Sequence, residues 1–547
     1  MKKYIVLLAS LIVLNLQLTY SQNFQWAKGF GGSSFDGVNS VFTNDIGNNY
    51  ITGGFRSVMA TFDTITLSAS GFGDVFLCKT NPAGNIIWAK NAGGNDPVGG
   101  DASGCIVENN NGDIFIAGRF YSSATFDTIG IISYGYEDAF IAKYNDSGKC
   151  MWVEKMGGNN KDYAGRVCLF DNQSVLVCGG FTSPTANFGT IDLFNNGGAL
   201  KDKIFLAKYD DNGNCLWARQ STSGTAQALK IINNGAQIYM TGWFGDSLTI
   251  SGNMLINNSI GYEDVFVAKF DMNGNLIWLK QAGGPSYDLA NSICSDSAGN
   301  CFVTGYFNGP ATFGGYPIIS GSPQGDMFLA KYDSLGNCVW VKSLNCSGAA
   351  EGKDVISDGS NGVYVTGSFS GIAIFGSNVV SAISTKDMFV AHYDNSGNCL
   401  GIRNIANAVG YAISTNVLGS CVITGTYTCN TNFDSINLIN KGYTDIFLTK
   451  IDAITGMSLP NKSANKNLII YANPTTGKCN ITVPDEFINE SKLLLTIYNL
   501  QGLIIQQQEL SMHDNNILLN LEAEAKGVYT ATLSNGKKVY TGKIVFE

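Results

Sequence analysis

Short segments that are apolar at every position recur along the chain between polar turns. In Asp264-Val265-Phe266-Val267-Ala268-Lys269-Phe270 the apolar residues run consecutively instead of alternating with polar ones. Successive side chains of a strand point to opposite faces, so both faces of this strand must be covered. Asp271-Met272-Asn273-Gly274-Asn275 follows, then Leu276-Ile277-Trp278. This predicts a hairpin whose Gly274 takes the left-handed conformation of a type I turn closed by a G1 bulge, with Asp271 and Asn273 bonding back to the turn.

The hairpin occurs seven times, centred on Phe76, Phe140, Phe205, Phe266, Phe328, Phe389 and Phe447. An Asp stands two residues before the Phe in every copy except the third, which has Lys203. The turn glycines Gly84, Gly148, Gly213, Gly274 and Gly336 sit four residues before Trp88, Trp152, Trp217, Trp278 and Trp340, and Gly397 precedes Gly401 by the same interval. Trp26 opens the series, and successive positions are 61 to 65 residues apart. A period of this length is the mark of a repeat architecture.

Each repeat also holds a strand of small residues, such as Gly104-Cys105-Ile106-Val107, suited to a crowded place near an axis, and a second turn such as Asp296-Ser297-Ala298-Gly299-Asn300. A strand ending in a Gly marker follows (Thr52-Gly53, Ala117-Gly118, Cys178-Gly179, Thr241-Gly242, Thr304-Gly305, Thr366-Gly367, Thr424-Gly425), then a longer loop around pieces such as Ala60-Thr61-Phe62-Asp63-Thr64. These loops differ most between repeats, which makes them the expected place of function. Four strands per repeat, apolar on both faces, predict an all-β, seven-bladed β-propeller. The unpaired strand Phe24-Gln25-Trp26-Ala27 is expected to dock beside Phe447 and close the ring, because the seventh repeat lacks a Trp strand.

Composition agrees: 14% charged residues, 65 Gly and 10 Pro in 547 residues suit many short strands joined by tight turns. A formal charge of −9 argues against a nucleic-acid partner. Lys2 and Lys3, the apolar run Ile5 to Leu18 and Thr19-Tyr20-Ser21 read as a signal peptide over 1–21, and no later stretch is apolar enough for a membrane span. The fourteen Cys permit disulfides without defining a framework; Cys150, Cys215, Cys338 and Cys399 share one repeat position and read as small buried residues.

Trp-Ala-Lys, the following Gly pair, the Asp-x-x-Gly-Asn turns and the Thr-Gly strand ends resemble the secreted bacterial propeller repeats called SBBP repeats, over about residues 23 to 457. The expected organisation is a signal peptide at 1–21, a propeller at 22–457, a polar linker at 458–466 and a C-terminal domain at 467–547. The last carries seven short apolar segments in 81 residues, as expected of a small β-sandwich. It resembles the type A sorting domain of type IX secretion substrates through Asn473-Pro474-Thr475-Thr476-Gly477, Ile497-Tyr498-Asn499 with Gly502, Gly527-Val528-Tyr529, and the terminal Lys543-Ile544-Val545. Ala472 stands where that family usually has Pro. The resemblance implies that Asn473, Pro474, Gly477, Gly502, Gly527, Tyr529 and Lys543 serve sorting, that the type IX machinery is the partner, and that the protein is released or displayed outside the outer membrane.

Chemistry-bearing patterns are few. Only His392 and His513 are present, and no nucleophile elbow, phosphate loop or dinucleotide fingerprint occurs. His392 takes the place of the hairpin Lys and reads as a repeat substitution with a solvated tip; the repeated Asp reads as a strand-end cap. No catalytic, metal or cofactor-binding residue is assigned, and no cofactor is expected. Trp243, the one Trp outside the repeat slot, is a candidate contact residue, in a slot that holds Gly54, Arg119, Gly180, Tyr306, Ser368 and Thr426 elsewhere. Three functions stay open: a non-catalytic exported scaffold for binding or adhesion to a glycan or surface protein, a polysaccharide-cleaving enzyme, for which Glu108, Glu154 and Glu351 break the repeat, and a passive surface-layer protein.

Overall fold

The computed structural model describes residues 24–451 apart from 197–200, 234–236, 258, 260, 377 and 416–420, and residues 468–547 apart from 485–486, 488–491, 499–503, 511–515 and 535–538. The expected signal peptide, the linker at 458–466 and Gly502 lie outside the described residues. Two compact units are present, Asn23–Thr455 and one containing Gly456–Glu547. Every named element is a strand.

The larger unit is built as a propeller-like series of antiparallel four-stranded blades. The first comprises Asp36–Thr43, Asn49–Phe55, Asp74–Thr80 and Ile86–Gly93 in that order across the sheet. The seventh comprises Ala408–Thr415, Cys421–Tyr427 and Asp445–Ile451, and its fourth strand is the first of the described strands, Phe24–Gly32. Trp26 stands opposite Lys450, Lys28 opposite Leu448 and Phe30 opposite Ile446. One side-chain bond at this junction repeats what happens inside one chain segment elsewhere. Asp434 accepts from the Phe24 N–H at 2.8 Å, as Asp63 does from Ile86 at 3.0 Å and Asp127 from Cys150 at 2.7 Å.

The third strands are apolar on both parities because each face belongs to a different layer. Phe266 and Ala268 join Leu176, Leu206 and Phe244 of one cluster, while Val265 and Val267 join Val303, Phe307 and Phe328 of the next. The innermost strand of every blade shifts register at one shared position, Asn39, Gly104, Gly165, Leu229, Asn291, Lys353 and Tyr411, and those of the third and fourth blades shift a second time, at Phe170 and Thr225. Neighbouring innermost strands pack on one another, and Asp36–Thr43 packs on both Ala102–Glu108 and Ala408–Thr415.

The Trp and the turn glycine of the repeat meet across blades. The Trp26 Nε1–H donates to the Pro82 carbonyl at 3.1 Å, Trp88 to Asp146 at 3.0 Å, Trp152 to Asp211 at 2.9 Å, Trp278 to Ser334 at 3.2 Å and Trp340 to Asn395 at 3.1 Å. Each ring lies over the turn glycine of the next blade, so closely that a Cβ on Gly84 would come within 2.7 Å of Trp26 and one on Gly148 within 3.0 Å of Trp88. The glycine thus supplies both a positive φ, +78° at Gly84, and room for the neighbour's indole.

The long loops differ from expectation. Their aromatic-centred pieces form seven small hairpins, and Phe62, Phe126, Phe188, Phe313, Phe375 and Phe433 are fully buried. Phe62 packs on Phe76 at 5.1 Å and Phe126 on Phe140 at 4.8 Å, so this part of each loop is core, fixed by the area it removes from water. His392 also departs from expectation: it is buried, stacks on Tyr364 at 4.2 Å and bonds Asp358 through Nε2 at 2.8 Å. All fourteen cysteines are free thiols.

In the smaller unit, Ile469–Tyr471, Lys478–Thr482 and Asn516–Asn520 form one sheet, and Ile504–Leu510, Leu493–Tyr498, Gly527–Ser534 and Val539–Phe546 another. Cys479, Ile481 and Leu519 of the first share one core with Leu495, Ile497, Leu533 and Ile544 of the second.

Candidate functional site

Antiparallel order puts the starts of the first and third strands of every blade at the same end. A buried Asp opens most of these strands and holds the loop before it. Asp36 accepts from the N–H groups of Gly32 at 2.7 Å and of Arg56 and Ser57 at 3.1 Å each, and from the Ser57 hydroxyl at 2.7 Å. Asp162 repeats the pattern with Gly158, Thr182 and Ser183. The Asp before the Phe strand also acts as a cap: Asp74 accepts from the Ser70 N–H, Asp138 from Tyr134 and Asp387 from Ile383.

The loops so held carry exposed aromatic residues at two repeat positions, two residues before the third-strand Asp and one before the first-strand Asp. At the junction of the seventh and first blades Tyr443 and Phe35 lie parallel, centroids 4.8 Å apart and planes 7° apart, with exposures of 67% and 50%. Tyr262 and Tyr287 meet edge to face at 4.9 Å between the fourth and fifth blades. Phe72 carries the Arg56 guanidinium at 4.5 Å, and Tyr136 carries Lys161 at 5.5 Å and Tyr121 at 5.6 Å. Scattered exposed hydrophobes need no explanation, but an array at one end of the blades is the kind of feature that marks an interaction site.

Within this end a cavity of about 390 Å³ opens over the first blade, lined by Phe35, Asp36, Asn39, Arg56, Asp101 and Arg119 among others. It exists because two facing positions hold glycine. Gly37 pairs with Gly54, where the second blade has Ala102 and Arg119, the fourth Gln227 and Trp243, and the fifth Leu289 and Tyr306. In the third blade Gly180 is covered instead, and a Cβ there would meet the Tyr163 hydroxyl at 2.5 Å. A smaller cavity of about 220 Å³ continues along the axis between the register-shifted residues Asn39, Gly104, Gly165, Asn291, Lys353 and Tyr411, with Arg166. The Arg166 Nη1 donates to the Gly104 carbonyl at 2.7 Å and bridges two blades.

The two carboxylates in the larger cavity belong to the framework. Asp36 has every oxygen engaged, and Asp101 accepts from Gly94 at 3.1 Å and Tyr121 at 2.9 Å, while burial pushes its carboxyl up to about 8. The glutamates that break the repeat are not brought together. Glu108, at the far end of its strand, accepts from the Tyr50 hydroxyl at 2.6 Å. Glu351 pairs with Lys353 at 2.5 Å near the axis, and Glu154 lies on the fourth strand of the second blade. Among the described residues no group of three or more His, Cys, Asp or Glu could hold a metal ion, and no helix is long and apolar enough to cross a membrane.

Trp243 is half-buried, opposite Gln227 on one side and Val265 on the other. Its slot is an inter-blade one that also faces the cavity end, since Gly54, Arg119 and Thr426 line the cavity. The residues missed in the sequence are Phe35, Arg56, Phe72, Arg119, Tyr262, Tyr287 and Tyr443. The signal for several of them is their offset from the two repeated Asp.

In the smaller unit Asn473 accepts from the Val545 N–H at 2.8 Å, and Thr475 exchanges backbone bonds with Val545 at 2.7 Å and Glu547 at 3.0 Å. The segment bearing Asn473 and Pro474 is therefore tied to the last strand. Gly477 has φ +136°, and a Cβ there would meet the Glu522 side chain at 2.7 Å. The Tyr529 hydroxyl donates to the Ala525 carbonyl. Gly527 opens the strand that pairs with Val539–Phe546, and Lys543 stands opposite Thr530 in it.

Residues 469–547 match the family described as a secretion system C-terminal sorting domain. The chain is 24% identical over 496 residues to an uncharacterized WD repeat-containing protein of Acanthamoeba polyphaga mimivirus, covering 82% of this chain and 32% of that protein, so it spans about a third of the relative's length. Among solved structures, cobalt-substituted Synechocystis apocarotenoid oxygenase is similar at 10% identity, over 80% of this chain and 96% of that one, with a TM-score of 0.35. A member of the DUF4221 family from Bacteroides vulgatus is similar at 10% identity over 79% and 98%, with a TM-score of 0.31. Likeness at that level says nothing of this chain's chemistry. The chain combines a propeller-type repeat region with a secretion-system sorting domain.

Proposed function

We propose that the protein is an exported, non-catalytic binding scaffold. In this reading the repeats are of the SBBP type, seven blades form a ring closed by Phe24–Gly32, and residues 467–547 form a β-sandwich that the type IX machinery recognises before release or display at the cell surface. The observation that carries the binding role is the array of exposed aromatic residues at one end of the blades, the end at which the first-blade cavity opens. Such rings offer apolar area with little side-chain entropy to lose, which suits recognition. Polysaccharide cleavage is the second reading. It needs an acid and a base free to exchange protons with substrate, whereas Asp36 and Asp101 are engaged by backbone donors.

Two experiments test this reading. A screen of the full chain against glycans and surface proteins should give binding that Phe35→Ala with Tyr443→Ala weakens by tenfold or more; turnover of a polysaccharide, with no binding signal changed by that pair, refutes it. For the export route, a chain lacking residues 467–547 should accumulate inside the outer membrane, and its appearance outside the cell refutes the sorting role.

A further inference from the structure

The first-blade cavity differs from the corresponding region of the other blades in more than volume. Its opening carries two guanidinium groups. Arg56 lies over Phe72 and makes no ion pair among the described residues, while Arg119 meets Glu137 through Nε at 3.3 Å, with half its side chain exposed. Of the two carboxylates in the lining, Asp36 has its oxygens taken up by four donors, and Asp101 is driven toward its neutral form by burial. Phe35 lines the cavity with the arginines, one face of its ring taken by Tyr443 outside the lining, and the lining adds the polar groups of Asn39, Thr426 and Thr444. A ring face, hydroxyl and amide partners and fork-shaped cations within about 390 Å³ match a single chemical object, a sugar ring with an apolar face, a hydroxylated rim and an anionic substituent.

We propose that this cavity binds an acidic sugar unit of an extracellular polysaccharide, with Arg56 and Arg119 on its carboxylate or sulfate and Phe35 beside its ring. The assignment rests on the binding-scaffold reading and gives it a ligand class. Net charge sharpens it: a chain of formal charge −9 repels a polyanion at most of its surface, so attraction must be local and fall with salt.

The molecule supplies its own plug. A Cβ on Gly37 has only the Gly54 carbonyl within reach, at 3.9 Å, and other blades carry Tyr163, Leu289 or Val409 in this slot, so Gly37→Leu fills the cavity without disturbing the strand pair. The full-length protein is run in affinity electrophoresis with polygalacturonate, with dextran sulfate and with neutral dextran, and each variant is checked for an unchanged melting temperature. Expected is retardation by one or both acidic polymers and not by dextran, weakened at least tenfold by Gly37→Leu and by Arg56→Gln and reduced between 50 and 300 mM salt. The two acidic polymers separate carboxylate from sulfate. Retardation by acidic polymers that survives both substitutions overturns the site. Equal retardation by dextran overturns the acidic class while leaving the binding scaffold standing, and capture of polyglutamate in preference to either polysaccharide overturns the sugar.

Discussion

Trp88 and Gly148 act as one device in two blades, and each is intelligible only through the other. Gly148 has φ +76°, and a Cβ there would lie 3.0 Å from the indole. Gly148→Ala should lower stability by about 1–2 kcal/mol, from the positive φ and from displacement of the ring. Trp88→Phe should cost about 1 kcal/mol for the lost bond to the Asp146 carbonyl, plus lost packing. Their combination should cost less than the sum, because the smaller ring leaves room for the new methyl; denaturant midpoints of the three variants check this, and strict additivity contradicts the contact. The sequence shows that Trp and Gly recur together and that Asp271 holds the turn at Gly274, although the side-chain amide that bonds back to it is that of Asn275 and not that of Asn273. What repetition does not show is that each Trp serves the turn of the next blade and not its own. His392 was hidden for the same reason, its partner Asp358 lying on a different hairpin.

At the scale of the blade junction, the two Asp positions of neighbouring blades approach one another. A Cβ on Gly157 would lie 2.7 Å from both Asp138 Oδ1 and Asp162 Oδ2, and the point over Gly283 lies 2.4 Å from Asp264 Oδ1 and 3.0 Å from Asp288 Oδ2. Among the described residues, Asp74, Asp138, Asp264 and Asp445 each keep a buried Oδ1 without a hydrogen-bond partner. Burial pushes Asp74, Asp264 and Asp445 up to about 6, Asp138 to about 7 and Asp288 to about 8. Asp162 adds to the rise at Asp138, opposed by Lys155, and Asp36 adds to that at Asp445, opposed by Lys441. A carboxyl raised on folding contributes stability that is full below about pH 4 and lost as pH rises through its folded value. Unfolding free energy should therefore fall between pH 5 and 7.5, a window chosen below thiol titration, and Asp138→Asn with Asp288→Asn should flatten the slope. A stability that rises over this window contradicts paired carboxyls. The capping role of these Asp was readable from their place before each strand. Their pairing was not, because it joins residues of different repeats across a glycine.

Taken as a whole molecule, the repeat region has an asymmetry that its sequence states openly: the seventh repeat lacks a Trp strand of its own and borrows Trp26, and the sixth has Gly401 where the other six blades have Trp. The two gaps share one cause. The strand Asp445–Ile451 takes its outer neighbour from Phe24–Gly32, and the sequence after it has Asp452-Ala453-Ile454-Thr455-Gly456 in place of the Asp-x-x-Gly-Asn turn that a Trp at position 401 would cover. The small residues of the innermost strands and the docking of Phe24–Gly32 beside Phe447 were both legible, since they depend on pattern and on an unpaired edge. The cavity was not, since a glycine pair reads as absence until the opposing strands are aligned. Removing residues 22–28 should leave the edge of Asp445–Ile451 open and the Trp26 contact to Pro82 lost, lowering the melting temperature by several degrees and promoting self-association through that edge. Moving Phe24–Gly32 to follow Ile451 through a copy of the turn Asp271-Met272-Asn273-Gly274-Asn275 should restore the monomer. In that permuted chain Gly401→Trp should stabilise, by about 1 kcal/mol or more from the new indole bond and ring contact, whereas in the natural chain, whose sequence after Ile451 has no Asp-x-x-Gly-Asn pattern, the same substitution should stabilise less. Equal effects of Gly401→Trp in the two chains contradict the account of why that Trp is missing.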